Sequence, residues 1–321
     1  MNVVYMGPGL PELVSMIENF LPDEFSLWVA DEDSPEYWER MAEADFLAGY
    51  PSVTPELLRV TRRVRLIQAI GAGYDNIDVD AAARAGIPVA TAGGTNAVCV
   101  AEHIFALILA LHRQIIYAHN AVRAGEWPYL PLYRGGVFEL FEKTIGLIGF
   151  GHIGQAVARI AHGFGMQVLY HRRNRLTAEM ERSLDVRFAS LEDLLPQADI
   201  VSVQVPLTPH TRQLVGRKEL GLMKPSAFFI NTSRGGTVDE DALIECLAGK
   251  KIAGAGLDVF AREPILPDNP LLQMENVILT PHIGGAAQES IRRTVQASVA
   301  NIVRVAAGQK PRHVVRPGSG G

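Results

Sequence analysis

Two rhythms alternate along the chain. Short runs of consecutive apolar residues suit strands buried on both faces, and stretches with apolar residues three or four apart suit amphipathic helices. The early strand-like runs are NVVYM at 2–6, FSLWVA at 25–30, DFLAGY at 45–50, VRLIQAI at 64–70 and IPVATA at 87–92. Helical patterns separate them: PELVSMIENFL, YWERMAEA and DVDAAARAG. Later strand-like runs read TIGLIG, MQVLYH, VRF, DIVSVQV, AFFINT, IAGAGLDV and VILT, with GQAVARIAHGFG and DEDALIECLAGK between them.

Such alternation predicts an α/β fold of two doubly wound parallel-sheet lobes, helices covering both faces. The second lobe is expected to start near the helix containing Ala101 to Leu111. The last helical pattern, AQESIRRTVQASVANIVRVAAG, has no strand left to feed, so it is expected to pack back on the first lobe. The predicted division is therefore 1–98 with 288–321, a discontinuous domain, and 99–287 inserted in it. The most apolar segment, VCVAEHIFALILALHRQII, predicts one buried helix. Glu102, His103 and His112 interrupt it, so it falls short of the ~18 uncharged residues of a membrane span.

Length and composition narrow the class. A chain of 321 residues suits two cores, and 48% apolar with 20% charged residues is ordinary globular composition. Only the tail from Pro317 to Gly321 is expected to lack order. Basic residues number 30 against 35 acidic, a net charge of −5 with no basic stripe, which argues against nucleic acid as a partner. Cys99 and Cys246 lack the paired spacing of a zinc or disulfide framework, and the N-terminus reads as a strand and turn without an export signal. A reducing cytoplasm is the expected compartment.

Chemistry enters at TIGLIGFGHIGQAVARIAHGFG, where Gly149, Gly151 and Gly154 have G-x-G-x-x-G spacing between a strand and a helix. In that context the first glycine permits a tight turn, the second admits a pyrophosphate, and the third lets helix and strand pack closely. The helix start, with His152 and Ile153, then offers free N–H groups to phosphate. About 20 positions beyond such a turn, an acidic residue binds the ribose of NAD, whereas basic residues accommodate the extra phosphate of NADP. Here His171, Arg172 and Arg173 occupy that place. Two guanidiniums can grip a 2′-phosphate that a carboxylate would repel. NADP(H) is the preferred coenzyme, with NAD(H) second; a solvated basic loop is the alternative.

Three later segments, INTSRGGTVDEDAL at 230–243, GLDVFAREP at 256–264 and NVILTPHIGG at 276–285, each put an ionisable residue just after a strand. Together with GFGHIG, VQVPLTPHT and IGAGYDNID, in that family's order, they resemble the D-isomer-specific 2-hydroxyacid dehydrogenases, over about residues 60 to 290. The resemblance implies a Rossmann coenzyme domain inserted in a discontinuous flavodoxin-like substrate domain. It also implies a catalytic trio of Arg234, Glu263 and His282. Backbone N–H groups of Gly71, Ala72 and Gly73 would share the substrate carboxylate with Arg234. Pro206, Thr211, Thr232, Asp258, His282 and Gly284 would line the coenzyme, and a homodimer is implied.

The expected chemistry agrees with these residue types. Reduction of a 2-keto acid builds negative charge on the carbonyl oxygen, so a proton donor must lie within hydrogen-bond reach. Imidazole suits that task near neutral pH, a carboxylate on its other nitrogen would orient it, and arginine's fixed fork suits a carboxylate substrate. His103, His112 and His162 read as ordinary helix positions. No G-x-S-x-G elbow supports a hydrolase, and no ligand cluster supports a metal.

The expected activity is reduction of a small 2-keto acid, glyoxylate or hydroxypyruvate first, giving the D-2-hydroxy acid. The lengths beyond the resemblance disfavour phosphoglycerate dehydrogenases with a regulatory domain, and formate dehydrogenases. A co-repressor of the same fold, using the nucleotide as a binding switch, stands as a rival. So does a dehydrogenase for an unusual donor such as phosphite. GEWPYLPLYRGG at 125–136 is aromatic-rich; Trp127, Tyr129 and Tyr133 could pack in an interface or shape substrate choice.

Overall fold

The computed structural model describes residues 1–317. It divides into two compact units, one of residues 1–96 and 286–321, the other of residues 97–285. The expectation of a tail without order falls on 318–321, outside the described residues; Pro317 itself is exposed.

The discontinuous unit holds a five-stranded parallel sheet: β1 (Asn2–Met6), β2 (Ser26–Val29), β3 (Phe46–Gly49), β4 (Leu66–Ala69) and β5 (Val89–Ala90). Their order is β2-β1-β3-β4-β5, the flavodoxin-like arrangement. In the middle of the sheet β3 and β4 have every residue buried, whereas β2 at its edge has none. The helix Gln288–Ala306 closes one face. Ile302 and Val305 pack with Val3, Phe46 and Leu66, while Val295 and Val299 pack with Tyr5, Ile17 and Ile70. The returning helix thus completes the core begun by the N-terminal strands.

The inserted unit has seven parallel strands: β6 (Thr144–Ile148), β7 (Gln167–His171), β8 (Arg187–Phe188), β9 (Ile200–Val203), β10 (Phe228–Asn231), β11 (Gly254–Leu257) and β12 (Val277–Leu279). Their order, β12-β11-β10-β9-β6-β7-β8, reverses direction at the β6/β9 pair. That is the Rossmann arrangement, and the reversal opens a crevice at the carboxyl ends of β6 and β9. Side-chain caps fix where its helices begin: Asp239 accepts from Ala242 N at 3.1 Å, and Ser190 from Asp193 N at 3.1 Å. Each such cap is worth ~1 kcal/mol.

The apolar segment 98–116 is not one helix. A buried helix runs Ala97–His112, and a second runs Ile115–Arg123 after Gln114 turns left-handed at φ 49°. Ile115 and Ile116 therefore leave the core and are exposed. No single helix among the described residues is long and apolar enough to cross a membrane. The aromatic segment forms the helix Tyr129–Gly135, with Trp127 80% exposed and Tyr129 and Tyr133 also exposed.

Candidate active site

The turn after β6 begins at Gly149, whose φ of 101° disfavours any residue with a Cβ; a Cβ there would also lie 2.7 Å from the Gln204 carbonyl. Gly151 caps the helix His152–Gly163 without a side-chain hydrogen bond, and a Cβ on it would meet nothing within 4 Å. His152 is exposed, Ile153 half-buried against the core, and Gly154 buried. The first turn of this helix therefore presents its N–H groups to open space, which fits a pyrophosphate.

At the end of β7 the His171 carbonyl accepts from Gly149 N at 2.9 Å, tying the two loops together. The His171 ring bonds the Ala189 carbonyl at 3.1 Å and stacks on Phe188. Arg172 turns toward the glycine turn, donating from Nη1 to the Phe150 carbonyl at 3.3 Å, while Arg173 is exposed. Arg175 is engaged elsewhere, with two 2.8 Å bonds to Glu181. Those bonds, aided by Tyr170, hold the Glu181 carboxyl down at about 2. Beyond β9, Thr211 donates to the Pro206 carbonyl at 2.5 Å and accepts from Thr208 N at 2.8 Å, so the PLTPHT loop is closed on itself.

Beyond β10, the backbone of Arg234 is pinned from two sides. Its carbonyl accepts from Asn231 Nδ2 at 3.1 Å and from Thr237 Oγ1 at 2.7 Å, while its guanidinium donates to the Ser233 carbonyl at 2.7 Å. The buried Thr232 hydroxyl has no hydrogen-bond partner among the described residues. A buried orphan hydroxyl is costly, and a polar ligand at this strand end would satisfy it. Gly235 follows, so close to the next loop that a Cβ would lie 1.9 Å from the Phe260 carbonyl carbon and oxygen.

Glu263 sits in that next loop. Its Oε1 accepts from Phe260 N at 3.1 Å and its Oε2 meets His282 Nδ1 at 2.7 Å. The structure thus brings the histidine and glutamate together, and Gly235 ties the arginine's loop to theirs. Both side chains of the pair are partly exposed, 44% and 36%, so a solute can reach them. With Nδ1 held by the carboxylate, Nε2 is the ring nitrogen left for a reacting group. His282 itself has φ 55°, a left-handed conformation that costs a residue with a Cβ ~1–3 kcal/mol and persists only where its surroundings impose it.

The surroundings are centred on Asp258, only 1% exposed. Its carboxylate accepts from Thr280 Oγ1 at 2.6 Å, Ile283 N at 2.9 Å and Gly284 N at 2.8 Å, and its carbonyl from His282 N at 2.8 Å. His103 Nε2 lies 2.9 Å from Thr280 Oγ1 and 3.3 Å from Asp258 Oδ1. Burial pushes the Asp258 carboxyl up, and these hydrogen bonds, His103 first, more than offset that and leave it below its usual range. His103 is therefore no ordinary helix position. Cys99, one turn earlier, donates to the Gly284 carbonyl at 3.1 Å. The spacing of Cys99 and His103 on one helix face was the available signal; what they touch was not.

Glu240 was likewise unmarked by motif position. It accepts from Ala261 N at 2.8 Å and from Asn269 Nδ2 at 2.9 Å, bracing the Glu263 loop from the start of the helix Glu240–Ala248. In the other unit, Gly71 has φ 140° and its carbonyl accepts from Ala92 N, with Ala72 exposed and Gly73 half-buried beside it. No group of three metal-ligating side chains occurs among the described residues.

A Rossmann crevice with an imidazole–carboxylate pair at its strand ends defines a nicotinamide-dependent oxidoreductase. The sequence pattern of the D-isomer specific 2-hydroxyacid dehydrogenase NAD-binding domain matches residues 105–284. The chain is 39% identical to a glyoxylate reductase of Thermococcus litoralis, over 97% of this chain and 96% of that protein. It is 40% identical to glyoxylate/hydroxypyruvate reductase B of Pectobacterium carotovorum, over 83% of each. Among solved structures it is similar to an NADPH-dependent glyoxylate/hydroxypyruvate reductase from Sinorhizobium meliloti, solved with NADP and malonate. That match has 28% identity and a TM-score of 0.85, over 98% of this chain and 96% of that one. The chain belongs to the D-isomer specific 2-hydroxyacid dehydrogenase family, and it is an NAD(P)-dependent oxidoreductase.

Proposed function

We propose that this enzyme reduces small 2-keto acids to D-2-hydroxy acids, glyoxylate or hydroxypyruvate first, with NADPH as the preferred reductant. The observation that carries the reading is the 2.7 Å bond between His282 Nδ1 and Glu263, which orients a proton donor toward a reacting carbonyl. The chemistry that a reduced nicotinamide would supply when bound is hydride transfer to the carbonyl carbon. Arg234 holds the substrate carboxylate with its fork and draws charge onto the carbonyl oxygen. His282 gives its Nε2 proton to that oxygen, and Glu263 stabilises the imidazolium before the transfer. Thr232, Asp258, Gly284 and Pro206 would line the nicotinamide half of a bound coenzyme, Gly149 to Gly154 would hold its pyrophosphate, and Thr211 would add to the coenzyme site.

Coenzyme preference rests on Arg172, turned toward the glycine turn, and on Arg173 beside it, where a 2′-phosphate would need cations. The buried free thiols Cys99 and Cys246 suit a reducing cytoplasm. The exposed Ile115, Ile116, Trp127, Tyr129, Tyr133 and Phe138 favour a homodimer through that face. A matrix of 2-keto acids against NADPH and NADH tests the reading. Turnover of glyoxylate or hydroxypyruvate with NADPH is expected. Tight NADPH binding with no turnover of any keto acid would instead favour a nucleotide-switched binding protein.

A further inference from the structure

Asp258 and Thr280 define one end of the loop that carries His282, and the imidazole that meets both of them, His103, is on a helix that supplies no catalytic group. We infer that His103 is a positioning residue for the keto acid reduction proposed above: it locks the Asp258–Thr280 pair, and through it the left-handed backbone of His282, in the geometry that aims the proton donor.

The donor directions support this. Thr280 has one hydroxyl proton, spent on Asp258 Oδ1 at 2.6 Å, so at 2.9 Å its oxygen accepts from His103 Nε2–H. The same ring proton lies 3.3 Å from Asp258 Oδ1, so a single N–H braces both acceptors. Asp258 in turn accepts from Ile283 N and Gly284 N, the two amides just after His282, and its own carbonyl receives His282 N. The backbone amides of 282, 283 and 284 are thus all tied to Asp258, the residue just after β11, which His103 holds. Cys99 Sγ, bonded to the Gly284 carbonyl at 3.1 Å, fastens the same loop to the same helix face. Without the imidazole, Thr280 loses its donor and the buried Asp258 carboxylate loses one of four partners. The loop then has freedom to relax His282 out of its positive φ, taking Nδ1 away from Glu263.

The test compares His103→Leu, which removes the donor, with His103→Gln, which restores an N–H at the reach of Nε2. For the leucine variant kcat with glyoxylate should fall at least ~10-fold, as expected of a misplaced catalytic group. KM for NADPH should change far less than kcat does, the thermal midpoint should fall by only about a few degrees, and the glutamine variant should recover most of kcat. Hydrogen exchange of the peptide covering 280–285 should quicken in the leucine variant alone. Should the leucine chain not fold, His103→Asn, polar but too short, takes its place with the same expectations. An unchanged kcat, or a loss that tracks the unfolded fraction and is not rescued by glutamine, overturns the inference. If the parent enzyme reduces no keto acid, the functional reading fails on its own. The exchange measurement then decides: unchanged protection at 280–285 overturns the positioning role, and faster exchange upholds it.

Discussion

The contact between Gly235 and Phe260 sets how far the arginine's loop stands from the glutamate's loop, and Gly235→Ala probes it directly. A Cβ at Gly235 would lie 1.9 Å from the Phe260 carbonyl atoms and 2.5 Å from Ala261 N, where real Cβ atoms essentially never come within 3.0 Å. Both obstacles are backbone, so no side chain can swing aside, and the loops must part by about 1 Å, a displacement that can lower a rate ~100-fold when it falls between reacting groups. Ala261 N is held by Glu240 and Phe260 N by Glu263, so that opening moves the carboxylate that orients His282. The expected loss in kcat/KM is therefore about 100-fold, equal to about 2.7 kcal/mol of transition-state stabilisation. Overpacking would cost about 1–3 kcal/mol of stability besides.

Steady-state NADPH oxidation with glyoxylate reads the first quantity and urea unfolding the second. Gly151→Ala is the control, since its added Cβ meets open space within the protein and would obstruct only the coenzyme. The alanine at 235 should depress kcat with NADPH affinity kept; the alanine at 151 should weaken NADPH binding with the fold untouched. A Gly235→Ala enzyme within twofold of the parent in kcat/KM would show that the two loops are not coupled, and the reasoning would fail.

His282→Ala should abolish most keto acid reduction while NADPH still binds by fluorescence titration; near-normal turnover would require another proton donor. Replacing Arg172 and Arg173 together with alanine should raise KM for NADPH far more than for NADH, and equal small changes would mean both side chains serve only the solvent. Burial lowers the pKa of His112 from 6.5, its bond to the Ile108 carbonyl opposing only in part. The unfolded chain therefore takes up a proton below that pH that the folded chain refuses, so its stability contribution is full above about 6.5 and declines as pH falls. Urea midpoints at pH 7.5 and 5.5 should drop more for the parent than for His112→Leu; parallel drops would contradict this.

What could be read from the sequence was local. A parallel strand buried on both faces writes itself as an apolar run, and the residue that follows it stands at the crevice by topology alone, which is why Arg234, Asp258 and the Gly149 turn were legible. His282 and Glu263 were legible as residue types at strand exits, whereas their 2.7 Å contact is a matter of two loops meeting. Nothing local marks Gln114 for a left-handed turn, so the helix seemed continuous through a break. His103 lies 177 positions from Thr280, and Gly235 matters because another loop's backbone lies against it. Groups that touch a ligand are thus written in segments with a type and a place, while the struts that aim them depend on contacts between distant segments. For this chain the consequence is specific: the aim of His282 is set as much by a helix whose pattern shows only burial as by the loop that carries the histidine, and substitutions on that helix face should be read as changes to the site.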